Sequence, residues 1–183
     1  MSKYDFPAAL AILFNSDLKR RWLENAKEGN LQDMKEVYQQ LQNNGLQKEV
    51  KNFTDSDGNT ALMEAIVSGH LDICQWLVRE NLVDVNSKDN GGWNALHVAA
   101  RVDRPEIAQF LFEKTSVDVN EQSYGGRSAL HIAALFNRIE VTRVLLEHEA
   151  ILLMDDRGVT PLYDARKKKN KEIIQLLKRH YNI

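Results

Sequence analysis

The chain has 183 residues, 43% hydrophobic and 27% charged, with a formal net charge of -2. That balance is too apolar for a disordered chain and gives no global pull toward nucleic acid or an anionic membrane. The charge is uneven, however: residues 155-183 hold eight Lys and Arg against four Asp and Glu, which leaves -6 for residues 1-154, so any electrostatic steering is local.

Taken in chain order, residues 1-16 form an N-terminal segment containing Ala8 to Phe14, AALAILF, the longest uninterrupted apolar run. It is far short of the roughly 20 residues that span a bilayer, and it is predicted to belong to a terminal helix lying against the rest of the fold. Ser16 is then expected to cap a helix carrying Leu18, Trp22 and Ala26. Gly29-Asn30 breaks that helix, and Leu31, Met34, Val37, Tyr38 and Leu41 make a second apolar stripe. The link from Asn43 to Asp55, NNGLQKEVKNFTD, is longer than later ones and is expected to be a mobile or inserted loop.

From here the chain repeats itself. Gly58, Gly92, Gly126 and Gly158 are each followed by Leu62, Leu96, Leu130 and Leu162, then by Ala65, Ala99, Ala133 and Ala165, then by Leu77, Leu111, Leu145 and Leu177. All four series step by 34, 34 and 32 residues. Thr60, Asn94, Ser128 and Thr160 stand where a side-chain oxygen caps a helix start. Leu96, Ala99 and Ala100 share one helical face, and the small alanines let neighbouring helices approach closely. Ile107, Ala108, Phe110 and Leu111 form a second stripe, with Pro105 at a tolerated first-turn position. Each unit is therefore a turn and two short antiparallel helices, which can bury their apolar faces only by stacking on neighbours.

The segments GNTALMEAIVSGH, GGWNALHVAARVDR, GGRSALHIAALFNR and GVTPLYDARKKKN, with Asp84-Val85-Asn86 and Asp118-Val119-Asn120 after two of the second helices, resemble ankyrin repeats over roughly residues 53-180. Alanine replaces the family's usual proline in three units, and the Gly-His pair survives only at Gly69-His70. The resemblance implies an all-α solenoid of stacked helix-turn-helix units with projecting β-turn or hairpin loops. Residues 17-52 are expected to be a divergent first repeat and loop, and residues 53-183 four repeats at about 55-88, 89-122, 123-154 and 155-183, all in a single repeat domain.

Chemistry finds little support. His97 and His131 occupy one repeat position, where the resemblance implies a structural hydrogen bond, and no cysteine or carboxylate at ligand spacing completes a metal site. Cys74 falls on an apolar stripe and is expected to be buried rather than nucleophilic. It cannot form an internal disulfide, and no secretory signal is read ahead of the repeats, so the expected compartment is reducing, cytoplasmic and/or nuclear. Asp55 to Thr60, DSDGNT, lacks the ligands of a calcium loop and is read as a turn. No enzymatic activity, cofactor or metal is expected. The run Arg166 to Lys171, RKKKNK, is either a solvated helix end or a localisation signal or acidic-partner contact.

The resemblance implies a concave binding face made of positions flanking the glycine and two positions after the paired alanines. These are Ser56, Asp57, Asn59, Val67 and Ser68; Asn90, Trp93, Arg101 and Val102; Tyr124, Arg127, Leu135 and Phe136; and Asp156, Arg157, Val159, Lys167 and Lys168. Trp93, Tyr124, Arg127, Leu135 and Phe136 are expected to form one contact patch, because exposed aromatics and Arg are enriched in binding hot spots. Basic Arg101 lies to one side, and Lys167 and Lys168 to the other. The expected function is protein-protein interaction as an adaptor, scaffold or inhibitor, with a partner that is a partly acidic protein or peptide and with a chain monomeric on its own. Two alternatives remain: nucleic-acid or acidic-ligand binding through the basic last repeat, and service as substrate of an asparaginyl hydroxylase at Asn86 and Asn120.

Overall fold

A computed structural model describes residues 8-183, with side chains from Ser16 onward. Helices come in antiparallel pairs: α1 (Ala8–Glu28) with α2 (Leu31–Asn43), α3 (Ala61–Ser68) with α4 (Leu71–Arg79), α5 (Ala95–Val102) with α6 (Pro105–Lys114), α7 (Ala129–Phe136) with α8 (Ile139–Glu147), and α9 (Pro161–Lys168) with α10 (Lys171–Tyr181). The first helices α1, α3, α5, α7 and α9 pack in sequence on one another, and α4, α6, α8 and α10 form a second layer behind them. The expected packing of the Ala8 to Phe14 run falls on side chains outside the described residues. Their backbone belongs to α1, which runs unbroken through Ser16; the expected Ser16 cap is therefore corrected to a mid-helix residue.

Three of the four foretold caps form as direct side-chain-to-amide bonds, and at the fourth Ser128 Oγ lies 2.9 Å from His131 Nδ1. Thr60 Oγ1 accepts the Met63 amide at 3.3 Å, Asn94 Oδ1 accepts those of Leu96 and His97 at 3.1 and 3.2 Å, and Thr160 Oγ1 accepts that of Tyr163 at 3.3 Å. The histidines complete the Asn94 and Ser128 starts and tie them to the next unit. His97 Nε2 donates to the Arg127 carbonyl at 2.8 Å, and His131 Nε2 to the Val159 carbonyl at 2.9 Å. A carbonyl can only accept, so each Nε2 carries a proton; at His131 Nδ1 is left to receive the backbone N–H and hydroxyl of Ser128, while at His97 Nδ1 lies 3.4 Å from the Asn94 amide and 2.6 Å from Asn94 Oδ1. Burial lowers the pKa of both imidazoles, with the carbonyl bonds opposing it.

The turns stack directly. Asn90, Tyr124 and Asp156 amides donate to the Asp57, Gly91 and Gly125 carbonyls of the preceding turn at 2.9, 3.2 and 3.3 Å. Gly92 sits at φ 79°, and a side chain there would drive into the Tyr124 backbone and ring, so only glycine permits this approach. Asp55 and Asp155 each close their own turn, Oδ1 accepting two backbone amides at 2.8 to 2.9 Å, and DSDGNT is accordingly a turn whose first carboxylate is already engaged.

A further ladder lies at the entry to each second helix. His70, Arg104, Arg138 and Asn170 each donate to a carbonyl near the end of the preceding unit's first helix: Lys27, Val67, Arg101 and Ala134, at 3.1, 3.3, 3.1 and 2.7 Å. Loss of the Gly-His pair therefore did not lose its connection. The left-handed residue before each entry is Gly69 in one unit and Asp103, Asn137 and Lys169 in the others.

One contiguous core runs from Leu18 to Leu177. At its start Trp22, fully buried, meets Trp76 at 5.7 Å and Tyr38 at 6.4 Å between ring centroids. The Asn43 to Asp55 link is part of this core. It contains a 3-10 turn over Glu49–Asn52 and buries Val50 and Phe53, which replaces the expected mobile loop by a packed one.

Candidate functional site

The face lined by the first helices and turns holds the residues singled out in the sequence, but the structure divides them into spent and available groups. Tyr124 is 69% exposed, its ring beside Gly92 and 5.9 Å from the Lys88 ammonium. Phe136 at the end of α7 is 44% exposed, Leu135 is half-buried, and Arg101, Lys167 and Lys168 are exposed. Arg157 is exposed, with its Nε 3.9 Å from Asp155.

Arg127 belongs to the spent group. Its side chain is 19% exposed, Nε lies 3.3 Å from Asp155 Oδ2, and one terminal nitrogen lies 3.2 Å from Asp164 Oδ2. It is a tie between the third and last units rather than a free contact residue, correcting its place in the expected patch. Trp93 is corrected in part: it is half-buried against the core, 6.2 Å from the His97 ring, and the Arg101 guanidinium lies 5.6 Å from its ring. Arg101 thus rests its charge against an aromatic face that the core holds still, an arrangement favourable by cation-π attraction. Val102 is half-buried on the core, and the Asn90 side-chain amide donates to the Ser56 carbonyl at 3.0 Å, so part of its expected contact capacity is used inside the stack.

The two asparagines also differ. Asn86 is exposed, whereas Asn120 Oδ1 accepts the Ile151 amide at 2.9 Å and its Nδ2 donates to the Glu149 carbonyl at 3.4 Å. Asn86 lines an open groove of about 710 Å³ with Lys51, Asn81, Glu113 and Ser116, at the ends of α4 and α6.

Charge sorts in the same way. In the last unit Asp155 and Asp164 face Arg127, and Glu172 meets Arg143 at 2.9 Å. Three of its four carboxylates are thus engaged by the preceding unit, while Arg166 to Lys169 and Lys171 are all exposed. Burial alone would push the Asp155 carboxyl up, but the amides of Val159 and Arg157 and the charge of Arg127 outweigh it and hold the group below its ordinary value. Cys74 is buried, and its thiol is pushed up to about 12, first by burial and then by Asp72. Among the described residues no group of three His, Cys, Asp or Glu has metal-binding geometry.

Tyr163 escaped the sequence reading. It occupies the position of His97 and His131 in the last unit and is 53% exposed. The signal was there: a residue type that cannot continue the imidazole-to-carbonyl series stands where that series ends.

The family model for ankyrin repeats in three copies matches residues 25–123 and 116–183. The chain belongs to the ankyrin-repeat family. Human and mouse Notch-regulated ankyrin repeat-containing proteins are each 29% identical over 93 residues, covering 51% of this chain and 78% of the relative. The zebrafish (Danio rerio) Notch-regulated ankyrin repeat-containing protein A is 30% identical over 82 residues, covering 45% and 70% respectively. Ankyrin repeats are protein-protein interaction modules, and the family is typically non-enzymatic. No helix among the described residues is long and apolar enough to cross a membrane.

Proposed function

We propose that this chain acts as an adaptor, scaffold or inhibitor by holding a protein or peptide segment along the concave face of its first helices and turns. The observation that carries the reading is the exposure of Tyr124 and Phe136 in neighbouring elements of that face, since such aromatics add little to their own core and are frequent interface anchors. Leu135, Trp93 and Val102 supply the apolar floor. Arg101, Arg157, Lys167 and Lys168 supply cations at the rim, which favours a partly acidic partner, and Asn90 contributes its remaining polar capacity. Cys74, buried and unpaired, suits a reducing compartment, cytoplasmic or nuclear.

A capture experiment from cells tests this with the intact chain beside a Tyr124→Ala, Phe136→Ala double variant. Loss of one specific partner with unchanged thermal unfolding supports the reading. A partner retained by the double variant would place recognition elsewhere. Trp93→Ala is a poorer probe, because it removes core contacts together with surface.

Two narrower readings have an observation each. The exposed cations of Arg166 to Lys171 favour nucleic-acid or acidic-ligand binding by the last unit, and a salt titration on immobilised nucleic acid would give a steep loss of binding if phosphates are contacted. The exposure of Asn86 favours it over Asn120 as a hydroxylase substrate, and mass spectrometry of cell-derived protein for an added oxygen on either residue tests that.

A further inference from the structure

The divergent first unit hides a register that the carbonyl ladder reveals. Each first helix is followed by a left-handed residue, Gly29, Gly69, Asp103, Asn137 and Lys169, so Lys27, Val67 and Arg101, each two residues earlier, are equivalent positions on successive first helices. The carbonyl bonds of His70, Arg104 and Arg138 fall on these three, and that of Asn170 falls on Ala134, one residue before the fourth. The same position falls on Leu135 and Lys167 in the next two units by the repeat steps of 34 and 32. The row therefore reads Lys27, Val67, Arg101, Leu135, Lys167: cation, apolar, cation, apolar, cation. The three cations are exposed, Val67 is 45% exposed and Leu135 is half-buried. No carboxylate among the described residues pairs with Lys27, Arg101 or Lys167. Glu64, half-buried beside the row, feels the charge of Lys27 without forming an ion pair with it.

Spacing then restricts what can lie along the row. Directly packed helices such as α1, α3, α5, α7 and α9 have axes about 8-10 Å apart. A polyproline II segment advances about 9 Å per turn and returns a side chain to the same face every three residues. In a β-strand the third residue points to the opposite face, and an α-helix covers the same distance in about six residues. An α-helix regains the same face only after about seven residues, roughly 10.5 Å, which outruns the helix spacing of about 8-10 Å over successive units, so the polyproline II period is the one that stays in step along the whole row.

Resting on the concave-face reading above, we infer that the partner is an extended segment in polyproline II conformation, with an acidic residue at every sixth position and an apolar residue midway between acids. The smallest complete ligand is about thirteen residues long, acid and apolar alternating every third residue. Its middle acid meets Arg101, whose guanidinium is braced on Trp93 at 5.6 Å. Its two apolar side chains meet Val67 and Leu135, with Phe136 beside the latter.

The test is fluorescence anisotropy on the full chain at low salt, using a labelled peptide of this design and an isomer of identical composition with the acids moved to every fourth position. The designed peptide is expected to bind roughly tenfold or more tightly than the isomer. Arg101→Glu should weaken the designed peptide by a similar factor, and replacing the middle acid of the peptide by Lys should restore binding to R101E. Equal affinity for the two isomers, absence of rescue, or no binding of the designed peptide overturns the spacing. A cellular partner that depends on Tyr124 and Phe136 but is indifferent to charge reversal at Lys27, Arg101 and Lys167 would leave the concave-face reading standing and remove this one.

Discussion

Replacing Arg127 by methionine separates its two interpretations, contact residue and internal tie. The substitution keeps an unbranched apolar stem but deletes the guanidinium, leaving Asp164, with 4% of its side chain exposed, without its cation and Asp155, with none exposed, with only Arg157 at 3.9 Å. Breaking a buried ion pair from one side costs about 3-5 kcal/mol. The lower end applies here, since Asp155 keeps its own turn amides and the nearby Arg157, so about 3 kcal/mol is expected. In a chain of this length that lowers the unfolding midpoint by roughly 6-12 °C. Urea unfolding followed by circular dichroism at pH 7 gives the magnitude, and hydrogen exchange should locate the loss in residues 155-183, which Arg127 joins to the stack. The pH dependence adds a second check. The Asp155 pKa is depressed in the folded state, so its contribution is present above about pH 4 and is lost as pH falls through the folded value. The gap between parent and R127M should therefore narrow in acid. A variant within about 0.5 kcal/mol of the parent at pH 7 would refute the tie and return Arg127 to the binding surface.

Three other outcomes are expected. Burial depresses both His97 and His131, so stability should hold above about pH 6.5 and decline as pH falls below it, when the unfolded chain takes up protons that the folded one refuses; urea midpoints between pH 8 and 5 measure this, and a slope that persists in an H97Q, H131Q double variant would assign it to other groups. Lys169 holds φ 61° in the last unit, a conformation costly for a residue with a Cβ, so Lys169→Gly should raise stability by about 0.5-1 kcal/mol, while Asn137→Gly, whose parent residue tolerates the left-handed region, should change it less. With its thiol buried and pushed up to about 12, Cys74 should react with a thiol reagent only as fast as the fold opens, and labelling at the rate of a free thiol would contradict its place in the core.

Residues with a local job were legible in advance. Thr60, Asn94 and Thr160 cap helices because their oxygens reach amides two or three residues away, and the leucines and alanines at fixed offsets pack because a helix gives them one face. Ser16 misled for a related reason: a good capping residue followed by an apolar stripe looks like a start, but α1 had already begun at Ala8. The Asn43 to Asp55 link misled because its polar residues outnumber Val50 and Phe53, the two that decide its packing.

By itself the sequence determined the repeating unit, its helix starts, its core positions and the family, since each follows from spacing within one unit or from comparison of equivalent letters. Only the tertiary structure decided which long side chains at the free positions remain free. Arg127 and Arg101 both stand at variable positions, yet one is drawn to Asp155 and Asp164 while the other stays exposed on Trp93. That outcome depends on charges 28 and 37 residues away, brought within bonding distance by the stacking register. The same register makes Lys27 equivalent to Arg101, a relation that the divergent first unit conceals until hydrogen bonds between neighbouring units align them.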